Sequence, residues 1–178
     1  LPVGAAEPAR PASGTMTAME TVSTDRLRRH VEVLAGEIGE RNVWRPQGLA
    51  RAADYIRDVW NRQGYRVHAQ EYDVQGVTSA NLEVAIPGDD LASQILLLVA
   101  HYDSVQGSPG ANDNGTGVAA LLELARCLAD RRPRRTIRFV AFTNEEPPLF
   151  WTRDMGSEVY VRAALRRCDD IRAMLSLE

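Results

Sequence analysis

Two apolar runs, residues 95–100 and 137–142, the second broken only by Arg138, constrain this chain more than any other feature. Neither alternates with polar residues, so neither reads as a strand with one wet face. Runs of this length read as strands covered on both sides, as in a parallel sheet sandwiched by helices. Such sheets bind ligands in the crevice outside the carboxyl ends of their strands. Each run here is followed by residues that hold protons and cations: His101 and Asp103 after the first, Glu145 and Glu146 after the second. Asp113 lies between them, in a loop flanked by Gly107, Gly110, Gly115 and Gly117. One imidazole and several carboxylates are therefore expected at one rim of one sheet.

Imidazole and carboxylate together suit zinc and related divalent ions. Carboxylates packed this closely repel one another unless cations sit among them. Asp113 is a candidate to bridge two ions. Glu145 and Glu146 are neighbours, so on an extended segment they would point to opposite sides. A turn at the strand end would aim both into one cavity. One could then ligate metal while the other takes a proton from water whose pKa the metal lowers. The glycines around Asp113 also suit a phosphate loop, but such a loop would end in Gly-Lys-Ser/Thr, which is absent.

The ordered set His101-Tyr-Asp103-Ser, Gly110-Ala-Asn-Asp113-Asn-Gly-Thr-Gly117, Asn144-Glu145-Glu146 and Gly156-Ser157 resembles the two-zinc aminopeptidases, the family of bacterial leucyl aminopeptidase and glutamate carboxypeptidase. The resemblance covers residues 95–178, about half the chain. It implies an α/β fold: three αβα layers around a mixed, mostly parallel sheet, the phosphorylase/hydrolase-like fold of zinc exopeptidases, C-terminally incomplete here. It implies two zinc ions and a peptide substrate that loses its N-terminal residue. His101 would ligate the first zinc, with Asp103 orienting its ring. Asp113 would bridge both ions, Glu146 would ligate the second, and Glu145 would be the general base. Glu178, closing the strand that begins near Ala173, would complete the first site, where the family commonly has Asp. A cis peptide after Asp113 is also implied. The family's last ligand is a downstream His, and the remaining histidines, His30 and His68, lie upstream. On this expectation residues 25–178 are the N-terminal portion of one zinc-peptidase domain, inactive by itself. Two other readings stay open: a single-zinc glutaminyl cyclase-like acyltransferase, and a non-catalytic peptidase-like binding module.

Around this centre the pattern places further elements. Ser23 or Thr24 caps a helix from Asp25, with Leu27, Val31, Leu34 and Ile38 at helical spacing. A second amphipathic helix spans residues 48–63, stopped by Gly64. These two helices are expected to cover one face of the sheet. Residues 65–73 and 81–86 read as strands linked near Gly76, forming a hairpin or lying antiparallel at the sheet edge. A helix over residues 117–129 packs through Val118, Leu121, Leu122 and Ala125. Another over residues 156–166 turns Val159, Val161, Ala164 and Leu165 inward. Phe150 and Trp151 either line a substrate pocket or pack their own loop. His30 and His68 read as structural.

Net charge is −3, which gives no footprint for nucleic acid, and the arginines around Pro133 suit a helix C-terminus. No apolar run is long enough to span a membrane. Cys127 reads as a core residue, and a Cys127–Cys168 bridge is an open alternative. Residues 1–24 read as a flexible leader rich in Ala, Pro, Gly and Thr. It is compatible with a processed export signal, and so with a secreted or periplasmic protein, although no charged and apolar signal regions are present.

Overall fold

A computed structural model describes residues 21–178, so the expected leader at residues 1–24 lies almost wholly outside the described residues. The elements run α1 (Thr24–Val31), α2 (Pro46–Arg62), β1 (His68–Val74), β2 (Val77–Ile86), β3 (Leu91–His101), α3 (Thr116–Leu128), β4 (Arg135–Phe142), α4 (Gly156–Arg167) and β5 (Asp170–Ser176). The strands form one sheet in the order β1-β2-β4-β3-β5. β3 pairs in parallel with β4 and β5, whereas β2 is antiparallel to both β1 and β4. Four strands thus run one way and β2 the other, giving a mixed α/β sheet with two parallel and two antiparallel pairings.

The two apolar runs are buried from both sides, for the reason their sequence gives. Alternate residues of β2, β3 and β4, including Leu82, Ala100 and Phe139, face a core built with Leu34, Leu49, Ile56, Trp60, Leu121 and Leu122. The intervening residues Leu97, Val99, Val140 and Phe142 face a second core closed by Tyr160 and Ala164 of α4. Burying each large apolar side chain stabilises the fold by roughly 1.5–3 kcal/mol. The first two helices and α3 therefore cover one face, and α4 covers the other.

α1 is capped by Ser23, whose hydroxyl accepts from the Arg26 amide at 3.4 Å. It widens into a π-helical turn over Glu32–Ile38, which Gly39 ends at φ +79°. α2 opens with Pro46 at its first position, where a missing N–H costs nothing. β1 and β2 form an edge hairpin, its two-residue turn Gln75-Gly76 having φ of +55° and +82°.

Three expectations need correction. β1 starts at His68 rather than Tyr65, because Tyr65 and Val67 pack against the helical core and the Tyr65 hydroxyl donates to the Ala125 carbonyl at 2.7 Å. In α4, Val161 and Leu165 are exposed, and the buried face is Gly156, Tyr160, Ala163 and Ala164. Tyr160 wins that face because its ring packs edge-on against Phe142 while its hydroxyl donates to Glu83 at 2.6 Å. Cys127 is only half-buried, Cys168 is exposed, and both thiols are free. Among the described residues, no helix is long and apolar enough to cross a membrane.

Candidate metal centre

The parallel register brings three strand ends to one rim. His101 closes β3 opposite Phe142 of β4, and Val99 pairs with Ser176 of β5. Glu178, two residues past Ser176, is thereby level with His101. His101 Nε2 lies 3.1 Å from Asp113 Oδ1 and 3.8 Å from Glu178 Oε2. These three side chains can place one nitrogen and two oxygen atoms within 4.8 Å of one another.

Asp113 reaches this point from the loop before α3. Gly110 there has φ +58°, and a Cβ on it would lie 2.6 Å from both the Asp113 carbonyl oxygen and Ser104 Cβ. The Asp113–Asn114 peptide is cis, matching the expectation from the resemblance. Asn114 is fully buried. Its amide donates to the Leu177 carbonyl at 2.7 Å and to Glu178 Oε2 at 3.3 Å, and its oxygen accepts from the Gly117 amide at 2.9 Å. One side chain thus ties the Asp113 loop to the end of β5.

The turn after β4 is made by Asn144, whose φ is +60°, a conformation asparagine tolerates better than most residues. Its amide is anchored by Ser79 and Tyr72 of the hairpin at 2.9 and 3.2 Å. Glu145 and Glu146 then line the same cavity of about 420 Å³ as His101, Asp113 and Glu178. Pro147 and Phe150 supply apolar wall, whereas Trp151 is 83% exposed.

Asp103 is buried and does two things. Its Oδ1 stands 3.4 Å from His101 Nδ1, a buried nitrogen with no aligned hydrogen-bond partner among the described residues. Its two oxygens accept from the amides of Glu145 at 3.2 Å and Glu146 at 3.0 Å. The second contact was not foreseen from sequence: Asp103 holds the glutamate segment as well as facing the histidine.

Burial works to lower the His101 pKa, but Asp103, Asp113 and Glu146 outweigh it and push the ring up to about 9. Burial raises the Glu145 carboxyl, against the Ser157 amide and hydroxyl that donate to it at 2.6 and 2.8 Å. Glu146 is raised by burial first and then by the neighbouring Asp113. Asp113 therefore neighbours two sets of groups, His101 with Glu178 on one hand and Glu146 on the other. Glu146 is outside the tight group formed by the other three. Nitrogen and oxygen donors crowded at these distances are a set that divalent cations satisfy.

Ser157, Asn114 and Arg41 carry contacts to which sequence reasoning gave no role. Ser157 was within the recognised motif, whereas nothing in the pattern around Arg41 marked it.

Such a sheet, with an imidazole and carboxylates converging at its strand ends, defines an α/β protein with a candidate cation site at one rim. The profile of peptidase family M28 matches residues 81–178, and the chain belongs to that family. The uncharacterized Escherichia coli (strain K12) protein YfbL is 34% identical over 88% of this chain and 49% of its own length. The chain thus spans about half the length of that curated relative. Among solved structures, a zinc aminopeptidase from Bacillus subtilis superposes with a TM-score of 0.75 at 15% identity, covering 88% of this chain and 69% of that one. An Acidobacteriales bacterium glutaminyl cyclase also scores 0.75, at 18% identity, covering 94% and 62%. At these identities the two structures establish a shared fold.

Proposed function

We propose that this chain carries the zinc site of a peptidase that removes N-terminal residues from peptides. His101, Asp113 and Glu178 would hold one ion, and Asp113 and Glu146 would share a second. The observation that carries the reading is Glu145. Its carboxylate is held by Ser157, desolvated, and placed in one cavity with the His101–Asp113–Glu178 group. When bound, zinc supplies a Lewis acid for the scissile carbonyl and lowers the pKa of water. Glu145 takes the proton from the attacking water and returns it to the leaving amine. Its raised affinity for protons suits that exchange near neutrality. Asp103 fixes the backbone of Glu145 and Glu146 from behind, so both carboxylates keep their aim. The carboxylates around the cavity offer a partner for the free amino group of a peptide.

Zinc content after dialysis, together with turnover of aminoacyl p-nitroanilides by the full-length protein, tests this. Glu145→Gln is expected to keep zinc and lose turnover, and His101→Ala to lose zinc. A wild-type protein that binds no zinc would remove the reading, and a fully active Glu145→Gln protein would remove Glu145 as the base. The same measurement separates the glutaminyl cyclase alternative: Asp113 beside both ligand sets favours two ions per protein, and a single ion with no peptide hydrolysis would favour a cyclase.

A further inference from the structure

Behind the acidic cavity lies a buried cation that the reaction itself does not use. Arg41 has no solvent exposure. Its guanidinium donates from Nε to the Tyr102 carbonyl at 2.6 Å, from Nη1 to Leu34 and Gly39 at 3.3 and 3.1 Å and also to Pro109, and from Nη2 to Gly110 at 2.7 Å. All five acceptors are backbone oxygens. A buried cation without a bonded carboxylate is costly unless fixed dipoles and nearby charges replace its water. The dipoles are these carbonyls, and the nearby charges are Asp103 and Asp113, which oppose the effect of burial on the arginine. Burial still pulls it down, to about 10, so it is charged at neutral pH.

The acceptors are spread in an informative way. Tyr102 directly follows His101, and Pro109 and Gly110 lead into Asp113. The backbone of Arg41 adds a reciprocal clamp: its amide donates to Ser104 Oγ at 3.1 Å and its carbonyl accepts from the Ser104 amide at 2.9 Å. Asn42 reinforces this by donating to the Ser104 carbonyl at 3.0 Å. One planar fork thus spans the two ends of the loop that separates His101 from Asp113. The neighbouring chain is shaped to admit it. A Cβ at Gly110 would lie 3.1 Å from Arg41 Nη2, and one at Gly48 would lie 2.3 Å from the Glu40 carbonyl oxygen.

We propose that Arg41 is a positioning residue for the metal site: its guanidinium, bonded to the carbonyls of Tyr102, Pro109 and Gly110, sets the separation of His101 and Asp113. The inference rests on the reading of those two residues as ligands. It makes a prediction opposite in sign to that of charge alone. A positive charge beside a cation site repels the incoming ion, so an arginine acting only through its charge would weaken zinc binding, and its removal would tighten it. A positioning arginine strengthens binding by holding the loop, and its removal loosens the site.

Zinc affinity, measured by chelator competition on the folded protein, distinguishes these. Arg41→Lys keeps the charge but loses the planar five-donor fork, and Arg41→Met loses both. Both variants are expected to bind zinc about tenfold or more weakly, in the range found when groups supporting metal ligands are removed. Ile56→Ala, a core change on α2 outside the cavity, serves as the stability control. It is expected to lower the melting temperature and keep the zinc affinity within twofold. Unchanged zinc affinity in folded Arg41→Lys, or tighter binding in Arg41→Met, would overturn the proposal. So would failure of both variants to fold with zinc present, since positioning predicts a folded protein with a loosened site. A wild-type protein without zinc affinity would instead overturn the reading of the site itself.

Discussion

His30 sets a pH limit on stability that can be worked out from its surroundings. The ring is buried, and its Nδ1 lies 2.7 Å from the Tyr55 hydroxyl, which a neutral imidazole can accept. Burial, then repulsion from Arg26 and Arg62, lowers its pKa from 6.5 to about 4. Above pH 6.5 neither the folded nor the unfolded chain protonates it, so it exacts no cost. As pH falls below 6.5, the unfolded chain takes up a proton that the folded chain refuses, and stability falls until the ring titrates near 4. At pH 4.5 a shift of this size removes about 2.5 kcal/mol, a large part of a typical domain's stability. His30→Gln keeps a polar partner for Tyr55 but cannot titrate. Urea unfolding of both proteins at pH 7.5, 5.5 and 4.5 isolates the effect, because all other groups are shared. The wild type is expected to lose about 2.5 kcal/mol more than the variant between pH 7.5 and 4.5. Added salt should shrink the part due to Arg26 and Arg62. Parallel pH curves for the two proteins would refute the argument.

Two further outcomes follow from the site. Ser157→Ala deletes the hydroxyl that favours the ionised form of Glu145, so the Glu145 carboxyl should rise further. In the full-length protein the acidic limb of the kcat/KM profile should then move to higher pH, with activity falling more at pH 6 than at pH 8; an unmoved limb would detach Ser157 from the base. Gly117→Ala would set a Cβ 2.2 Å from Asn114 Oδ1 and 2.3 Å from the Leu177 carbonyl oxygen. It should cost about 1–3 kcal/mol by thermal or urea unfolding and weaken zinc binding, since it pushes apart the segments carrying Asp113 and Glu178.

What could be read from the sequence depended on how local the governing contacts are. β3 and β4 were legible because burial on both faces leaves apolar runs, broken in β4 only by Arg138, and their polar ends announced the rim. The candidate ligand set was proposed because its spacing resembles a known family, and the cavity is lined by His101, Asp113, Glu145, Glu146 and Glu178. The inward face of α4 was misread, since counting apolar residues favours Val161 and Leu165 over Tyr160. The choice is made by Phe142 and Glu83, which are distant in sequence. Arg41 was invisible for a related reason. Its partners are backbone carbonyls, which every residue possesses, so no pattern of side chains points to it. Asp103 was seen only in part: the resemblance implies its place beside His101, but its grip on the amides of Glu145 and Glu146 depends on how β3 lies beside β4.

The distribution of buried polar contacts around the cavity follows from how each acid is carried. His101 ends a hydrogen-bonded parallel strand whose register fixes it, while Glu145 and Glu146 follow β4 within four residues and are held by Asp103, and Glu178 follows β5 within two. Asp113 comes from a loop, and a loop has no ladder to hold it. The necessary restraint comes from side chains and from one backbone bond within the loop. Asn114 binds this loop to Leu177 and Glu178, the Gly115 amide closes it onto the Gly110 carbonyl at 3.0 Å, and Arg41 grips it from beneath at Pro109 and Gly110. Buried polar groups satisfied this fully rigidify a structure, whereas a half-satisfied network would destabilise it. The loop is therefore the part of the site where single substitutions should separate metal affinity from global stability. Changes in β3 or β4 should lower both together, because there the same contacts hold the sheet and aim the ligands.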